Sequence, residues 1–158
     1  MKKQVDKILS VVLVVLMAFM VINVLWQVAS RFILNSPSDF TDELAGFQLI
    51  WVGLLGAAYG TGQNLHLAID LLPDKLTGAK KKLLMHFINI CVLSFALSVM
   101  VVGGIRLVYL TFILEQFSSS LQIAMGYVYL VLPLSGLIIV FYCVLEFFQI
   151  RNQANELN

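Results

Sequence analysis

The sequence predicts an all-α integral membrane protein with four transmembrane helices, and two observations support this prediction. First, 60% of the 158 residues are apolar and only 12% are charged, whereas a soluble domain usually has about a quarter charged residues. Second, the charged residues are separated by long uncharged runs at 8–30, 44–69, 83–105 and 116–145. Each run supplies the roughly 20 residues that a helix needs to cross a hydrocarbon core. Lipid leaves each backbone polar group to bond within its own helix, so we expect four spans.

These runs are predicted to form one membrane domain over residues 1–158, with spans at about 8–30, 42–65, 83–105 and 124–146. The formal net charge is only +1, so bulk electrostatics indicate no nucleic-acid partner. Lys2, Lys3 and Lys7 resemble the start of a signal peptide. The apolar run after them is too long for one and has no small-x-small cleavage site, so we expect a retained first helix.

The positions of Lys and Arg predict the orientation, because short cytoplasmic loops carry an excess of them. Basic residues are concentrated at the N-terminus and in the second loop, which has Lys75, Lys80, Lys81 and Lys82. The first and third loops have only Arg31 and Arg106. Both termini are therefore predicted to be cytoplasmic (N-in/C-in), with the first and third loops outside. We also expect short interfacial helical segments beside the membrane.

A thin polar stripe follows the first predicted helix. Asn23, Gln27, Ser30 and Arg31 share one face, since residues three or four apart are neighbours on a helix. Asn23 falls near the middle of the span, where an amide usually hydrogen-bonds to another helix. Such a bond is the first interpretation of Asn23, and a contact with a pore or ligand is the alternative.

The start of the second helix carries an acidic group. The run Ser-Pro-Ser-Asp at 36–39 predicts an N-cap with Pro37 at the first helical position, so the helix should begin near Pro37. Asp39, Asp42 and Glu43 then fall in its first two turns, where the helix dipole favours negative charge. They are either solvated capping residues or a docking surface for an external partner. Asp42 or Glu43 could also pair with the arginine at the end of the first helix.

The second helix is rich in small residues. Gly46, Gly53 and Gly60 are seven residues apart, and Gly56 lies between the last two. Such spacings let helices approach closely in lipid, where dispersion drives packing. Trp51 lies too deep to be a simple interface anchor, so we expect it to pack against another helix.

The predicted cytoplasmic interface follows the second helix. His66 and Asp70 precede a proline at position 73, which disfavours helix at the residue before it. The basic triplet Lys80, Lys81 and Lys82 is expected to bind anionic lipid.

The last two helices carry breaker residues. The third helix could end at Gly103-Gly104, with residues 107–114 lying along the interface, or it could continue. Pro133 predicts a kink in the fourth helix, because proline removes one backbone bond. Cys91 and Cys143 both fall inside predicted spans, so they indicate neither a disulfide nor a metal site. No cofactor is expected.

Several function classes are disfavoured by what the sequence lacks. It has no Asp, Glu, Lys or Arg at the middle of a predicted span and no visible internal repeat, although ion-coupled carriers usually have such features. It also has no P-loop, HExxH motif or Ser-His-Asp arrangement. Neither a complete carrier nor an enzyme is therefore expected.

The order and spacing of a set of residues in this sequence resemble those of the small membrane subunit of tripartite ATP-independent periplasmic (TRAP) transporters. The resemblance covers about residues 26–140 and is carried by Arg31-Phe32, Pro37, Phe40-Thr41-Asp42-Glu43-Leu44, Trp51, Gly56-Ala57-Ala58, His66, Asp70-Leu71-Leu72-Pro73, Tyr127 and Pro133.

The resemblance implies a bacterial inner-membrane subunit that pairs with a large membrane subunit, which holds the substrate and sodium sites. A periplasmic binding protein would deliver an organic acid, of the sialic acid or C4-dicarboxylate type, for sodium-driven uptake. The small subunit would brace the large one and enlarge the docking surface. We accordingly expect docking at Asp39 and Asp42, and packing against the large subunit at Arg31, Glu43, Trp51, Gly53, Gly56, Gly60 and Pro133.

Two other classes of membrane protein can be compared with this pattern of residues. His66 and His86 are at comparable depth near the cytoplasmic ends of the second and third helices, so they could ligate a haem in a cytochrome b-type anchor. Small multidrug exporters depend on a carboxylate within the first span, and residues 8–30 contain none.

Overall fold

The computed structural model describes residues 2–34, 38–63 and 79–155, with side chains from 83 to 147 in the last range. Within these ranges the chain forms six α-helices and one π-helical segment, in the order α1 (Lys2–Phe32), α2 (Asp39–Gly62), α3 (Ala79–Phe95), the π segment (Ala96–Gly103), α4 (Gly104–Ile113), α5 (Met125–Tyr129) and α6 (Val131–Asn155). The described β structure is a single isolated bridge between Phe117 and Ala124.

Four helical stretches are long and apolar enough to cross a membrane. The first two are α1 and α2. The third, Leu83–Ile113, joins α3, the π segment and α4, and the fourth, Met125–Phe147, joins α5 to most of α6. The prediction of an all-helical membrane protein with four spans is confirmed for the described part of the chain.

The helices pack against one another in the order α1, α2, α6 and the π segment. The main contacts join α1 to α2, α2 to α6, and α6 to the π segment. One apolar cluster includes Leu9, Leu55, Val131 and Tyr142. A second cluster joins α2, the π segment and α6 through Ala58, Ala96, Met100, Ile139 and Cys143. The core therefore follows both sides of α6, and α1 lies at the edge of the bundle.

Much of the apolar surface points outward. On α1, Val14, Ile22 and Leu25 are all more than half exposed. Large contiguous apolar surfaces are rare on soluble monomers and are typical of contacts with lipid or another membrane protein. This distribution agrees with a bundle that sits in a bilayer.

The third span does not end at Gly103-Gly104, and residues 107–113 belong to α4 instead of lying apart along the interface. The glycine at 104 serves close packing here, since a Cβ on it would lie 2.9 Å from side-chain atoms of Leu132 and Pro133. In the preceding π segment the side chain of Met100 is buried. A Cβ on Gly136 would lie 2.7 Å from the Met100 Cβ. Glycine thus brings spans three and four together without breaking the helix.

The second helix begins at Asp39 instead of near Pro37, and Ser38 is its N-cap. The Ser38 carbonyl accepts hydrogen bonds from Thr41 N–H at 3.1 Å and from Thr41 Oγ1 at 2.7 Å. The Ser38 side chain makes no capping bond. The positions 36 and 37 lie outside the described residues.

The fourth span is interrupted near its start, as Pro133 predicts. A turn at Leu130 separates α5 from α6, and the N–H of Leu134 bonds the Leu130 carbonyl at 3.3 Å. Pro133 has no N–H to give to the carbonyl four residues before it, so the helix is weakened at this point.

Candidate functional site

A polar seam joins α1 to α2 inside the bundle. Asn23 is only 6% exposed, and its Nδ2 donates to the Thr41 carbonyl at 3.0 Å and to Gln48 Oε1 at 3.3 Å. The prediction that Asn23 bonds a neighbouring helix is confirmed. The Gln48 Nε2 is buried and has no partner among the described residues.

The seam continues to the C-terminal end of α1 and the N-terminal end of α2. The Gln27 side-chain amide donates to the Asp42 carboxylate, while Ser30 bonds back to the Gln27 carbonyl at 2.9 Å. Gln27, Arg31, Ser38, Asp39 and Asp42 line a polar cleft of about 130 Å³. Asp39 and Asp42 are both exposed at this rim.

Arg31 does not form the suggested ion pair with Asp42 or Glu43 within the described residues. It is exposed, and both carboxylates have other partners. Gln27 bonds Asp42, and backbone N–H groups of the third loop bond Glu43. An exposed ion pair contributes only about 0–1 kcal/mol, so these closer donors are sufficient to displace it.

Glu43 ties α2 to the loop between the third and fourth spans. Its carboxylate accepts from the N–H groups of Ser119 at 3.1 Å, Ser120 at 2.9 Å and Leu121 at 3.2 Å. Hydrogen bonds to a charged acceptor are stronger than neutral ones. Sequence reasoning placed Glu43 at a helix start but missed this contact, because no local pattern links residues more than 70 positions apart.

Trp51 packs against another helix, and that helix belongs to the same chain; packing of Trp51 against the large subunit stays a prediction. Its Nε1 donates to the Val128 carbonyl at 3.1 Å, which joins α2 to α5. The ring also packs beside the cluster that contains Leu55 and Val131. Pro133 is buried, next to Gly104. Both residues are therefore engaged inside this bundle.

The glycines of α2 behave differently. A Cβ placed on Gly46, Gly53, Gly56 or Gly60 would meet, beyond the adjacent backbone of α2 itself, no atom of the described residues within 4 Å. We call this set the glycine face. Leu49, which lies three residues after Gly46, is 60% exposed. The small side chains predicted for close helix packing thus form an open surface of α2.

Other glycines hold the bundle together, although no sequence motif marks them. A Cβ on Gly62 would lie 2.5 Å from the Tyr142 ring, and one on Gly126 would lie 2.5 Å from the Phe112 ring. Tyr142 also donates its hydroxyl to Asp6 Oδ1 at 2.5 Å. An isolated glycine carries no sequence signal that distinguishes a packed position from an open one.

The predicted cytoplasmic end is described only in part. His66 and Asp70 lie outside the described residues, as do the side chains of Lys80, Lys81 and Lys82. The His86 ring meets the Phe147 ring edge-on with centroids 5.5 Å apart. Asn89 Nδ2 donates to the Cys143 carbonyl at 3.1 Å and joins spans three and four.

Two of the exposed surfaces of α2 are suited to contacts with other proteins. The glycine face permits another helix to approach the α2 backbone closely. The exposed acidic pair Asp39 and Asp42 stands at one end of the same helix, where it favours a positively charged partner. This arrangement is suited to binding protein surfaces.

Comparisons with known proteins agree with this description. Residues 20–152 match the family model of the DctQ component of tripartite ATP-independent periplasmic transporters. The chain is 29% identical over 103 residues to the sialic acid TRAP transporter small permease protein SiaQ of Vibrio cholerae, which covers 65% of this chain and 60% of that protein. It is 31% identical over 72 residues to a protein named as a TRAP transporter small permease protein in Haemophilus influenzae, which covers 46% of this chain and 45% of that protein. The matches thus span about half of the length of these relatives.

Proposed function

Because the chain belongs to the DctQ family of tripartite ATP-independent periplasmic transporters, we propose that it works as the small membrane subunit of a three-part uptake system. Its partners are a large membrane subunit and a periplasmic binding protein. The complex sits in a bacterial inner membrane and uses a sodium gradient to import an organic acid. The name of the Vibrio cholerae relative favours sialic acid, and a C4-dicarboxylate is the alternative substrate.

The open glycine face supports the proposal that the chain packs against the large subunit. Gly46, Gly53, Gly56 and Gly60 leave the α2 backbone accessible, although glycine within a helix costs about 1 kcal/mol relative to alanine. Close approach by a helix from another chain accounts for glycine at these positions. We propose that a helix of the large subunit packs on this face.

The acidic pair supports the proposal for the binding protein. Asp39 and Asp42 are exposed at the start of α2, and the loop next to them is outside in the predicted orientation. A basic patch on the binding protein would complement these charges and speed encounter. Contact there leaves the glycine face free for the large subunit.

Co-purification with the large subunit tests the packing proposal. Gly53→Leu should reduce recovery of the two-subunit complex, because the added side chain separates the helices. Gly103→Leu is the matched control: Gly103 is also exposed, and a Cβ there meets only the Ser98 carbonyl at 3.7 Å. If Gly53→Leu, Gly103→Leu and the unchanged chain all gave the same recovery of the two-subunit complex, packing on the glycine face would be contradicted.

Reconstitution in liposomes tests the transport role. The chain alone, under an inward sodium gradient, should take up neither sialic acid nor a C4-dicarboxylate. Addition of the large subunit and the binding protein should give uptake that requires sodium. Sodium-dependent uptake by the lone chain would overturn the accessory role.

A further inference from the structure

The loop at 114–124 has a defined backbone conformation. The Ser118 N–H donates to the Ile123 carbonyl at 2.9 Å, and the Met125 N–H donates to the Gln116 carbonyl at 2.9 Å. Glu115 and Gln122 have φ angles of 47° and 54°, in the left-handed region that is unfavourable for residues with a Cβ. The loop therefore gains from contacts outside itself that hold this conformation.

Glu43 supplies such a contact from a rigid helix. Its two carboxylate oxygens accept three consecutive backbone N–H groups at 119–121. The Leu121 N–H also reaches Ser118 Oγ at 3.2 Å, and Ser118 is buried. The carboxylate thus holds the loop at its tip, opposite the bridge between Phe117 and Ala124.

The loop and the acidic pair belong to one end of the molecule. Asp39 and Asp42 lie within about one helical turn of Glu43 on α2, so the tip that Glu43 binds stands next to them. The loop also exposes Phe117 by 57% and Ile123 by 41%. Apolar side chains on a fixed loop beside charged ones are typical of protein interfaces.

We propose that Glu43 is a positioning residue for docking: by bonding the backbone at 119–121, it fixes loop 114–124 in the shape that the periplasmic binding protein contacts beside Asp39 and Asp42. The inference rests on the proposed function. Glu43 does not need to touch the binding protein itself, because the loop occupies its carboxylate. Asp39 and Asp42 act through charge, whereas Glu43 acts through the loop.

Hydrogen exchange tests the positioning step in the assembled two-subunit complex. In Glu43→Ala, exchange of the amides at 119–121 should rise roughly tenfold or more, because the charged acceptor is lost. Asp42→Asn is the matched control for exchange. It removes the same charge one residue away, but the Asp42 side chain contacts Gln27 and not the loop. Its loop amides should exchange at the rate of the unchanged chain. Glu43→Asp keeps the charge on a shorter side chain and should give an intermediate rate.

Uptake measured against binding-protein concentration tests the link to docking. Glu43→Ala should raise the half-maximal binding-protein concentration several-fold and keep the maximal rate. If that variant fails to assemble, Glu43→Gln replaces it, since its amide keeps one carbonyl oxygen and the side-chain length. Unchanged loop exchange would overturn the positioning role. Faster exchange with an unchanged half-maximal concentration would overturn the role in docking alone. If the unchanged complex shows no uptake that depends on the binding protein, the proposed function itself fails.

Discussion

The hydroxyl of Tyr142 donates to the carboxylate of Asp6 over 2.5 Å and so ties the last helix to the first. The Tyr142 ring lies directly against Gly62 at the end of α2. Three of the four spans therefore meet at one side chain. α1 otherwise has few buried residues, so this contact is important for holding it in the bundle.

Tyr142→Phe should lower the stability of the purified chain by about 1 kcal/mol, because it removes one hydrogen bond and keeps the ring. The thermal midpoint in detergent should fall by about 2–4 °C. Tyr109→Phe is the control, since Tyr109 is 64% exposed. Equal midpoints for the two variants would mean that the bond to Asp6 adds no stability.

Gly136→Ala should destabilise the isolated chain by roughly 1–3 kcal/mol, since the new methyl group would overpack the contact with Met100. Gly46→Ala should be neutral or slightly stabilising there, because no described residue beyond the adjacent backbone of α2 lies within 4 Å of the new methyl group and alanine favours helix. Thermal unfolding of both variants in detergent makes the comparison. A larger loss for Gly46→Ala would contradict the assignment of packed and open glycines.

Asn23→Leu should cost about 1–2 kcal/mol, because it leaves the buried amide of Gln48 without its partner. The double variant Asn23→Leu/Gln48→Leu should recover most of this loss, since the unmatched Gln48 Nε2 is removed too. Thermal unfolding of both single variants and the double variant gives the coupling energy. Strictly additive losses would show that the two amides do not interact.

Labelling of single cysteines with a membrane-impermeant reagent in intact cells tests the orientation. In a chain without Cys91 and Cys143, cysteines at Ser38 and Ser119 should react and one at Thr77 should not, because the basic residues near Thr77 favour the cytoplasm. Permeabilised cells provide the control for Thr77. Reaction at Thr77 but not at Ser38 in intact cells would reverse the orientation.

Asp39→Lys should slow uptake at low binding-protein concentration and leave assembly with the large subunit intact. The reversed charge acts on encounter, so its effect should fade as salt or binding-protein concentration rises. Uptake rates across both concentrations measure this. Normal uptake under all conditions would make Asp39 only a capping residue of α2.

The sequence could predict the four spans and several local contacts because lipid imposes simple rules. Long uncharged runs must become helices in a bilayer, whatever their neighbours. A polar residue such as Asn23 within a span has to find a partner on another helix, and Trp51 at its depth has to pack. Pro133 weakens a helix wherever it falls inside one. The ordered motifs around Arg31 and Trp51 were sufficient to identify the family.

The tertiary structure decided which partner each group finds. Glu43 reads in sequence as a capping residue, yet it binds loop amides that are brought near it only when the third and fourth spans pack. Gly104 reads as a helix end, yet it lies inside a continuous span, because close contact with Pro133 makes use of its missing Cβ. The regularly spaced Gly46, Gly53 and Gly60 stay open, while Gly62 and Gly136 are packed. Spacing along one helix determines which residues share a face. What that face contacts depends on where the other helices pack.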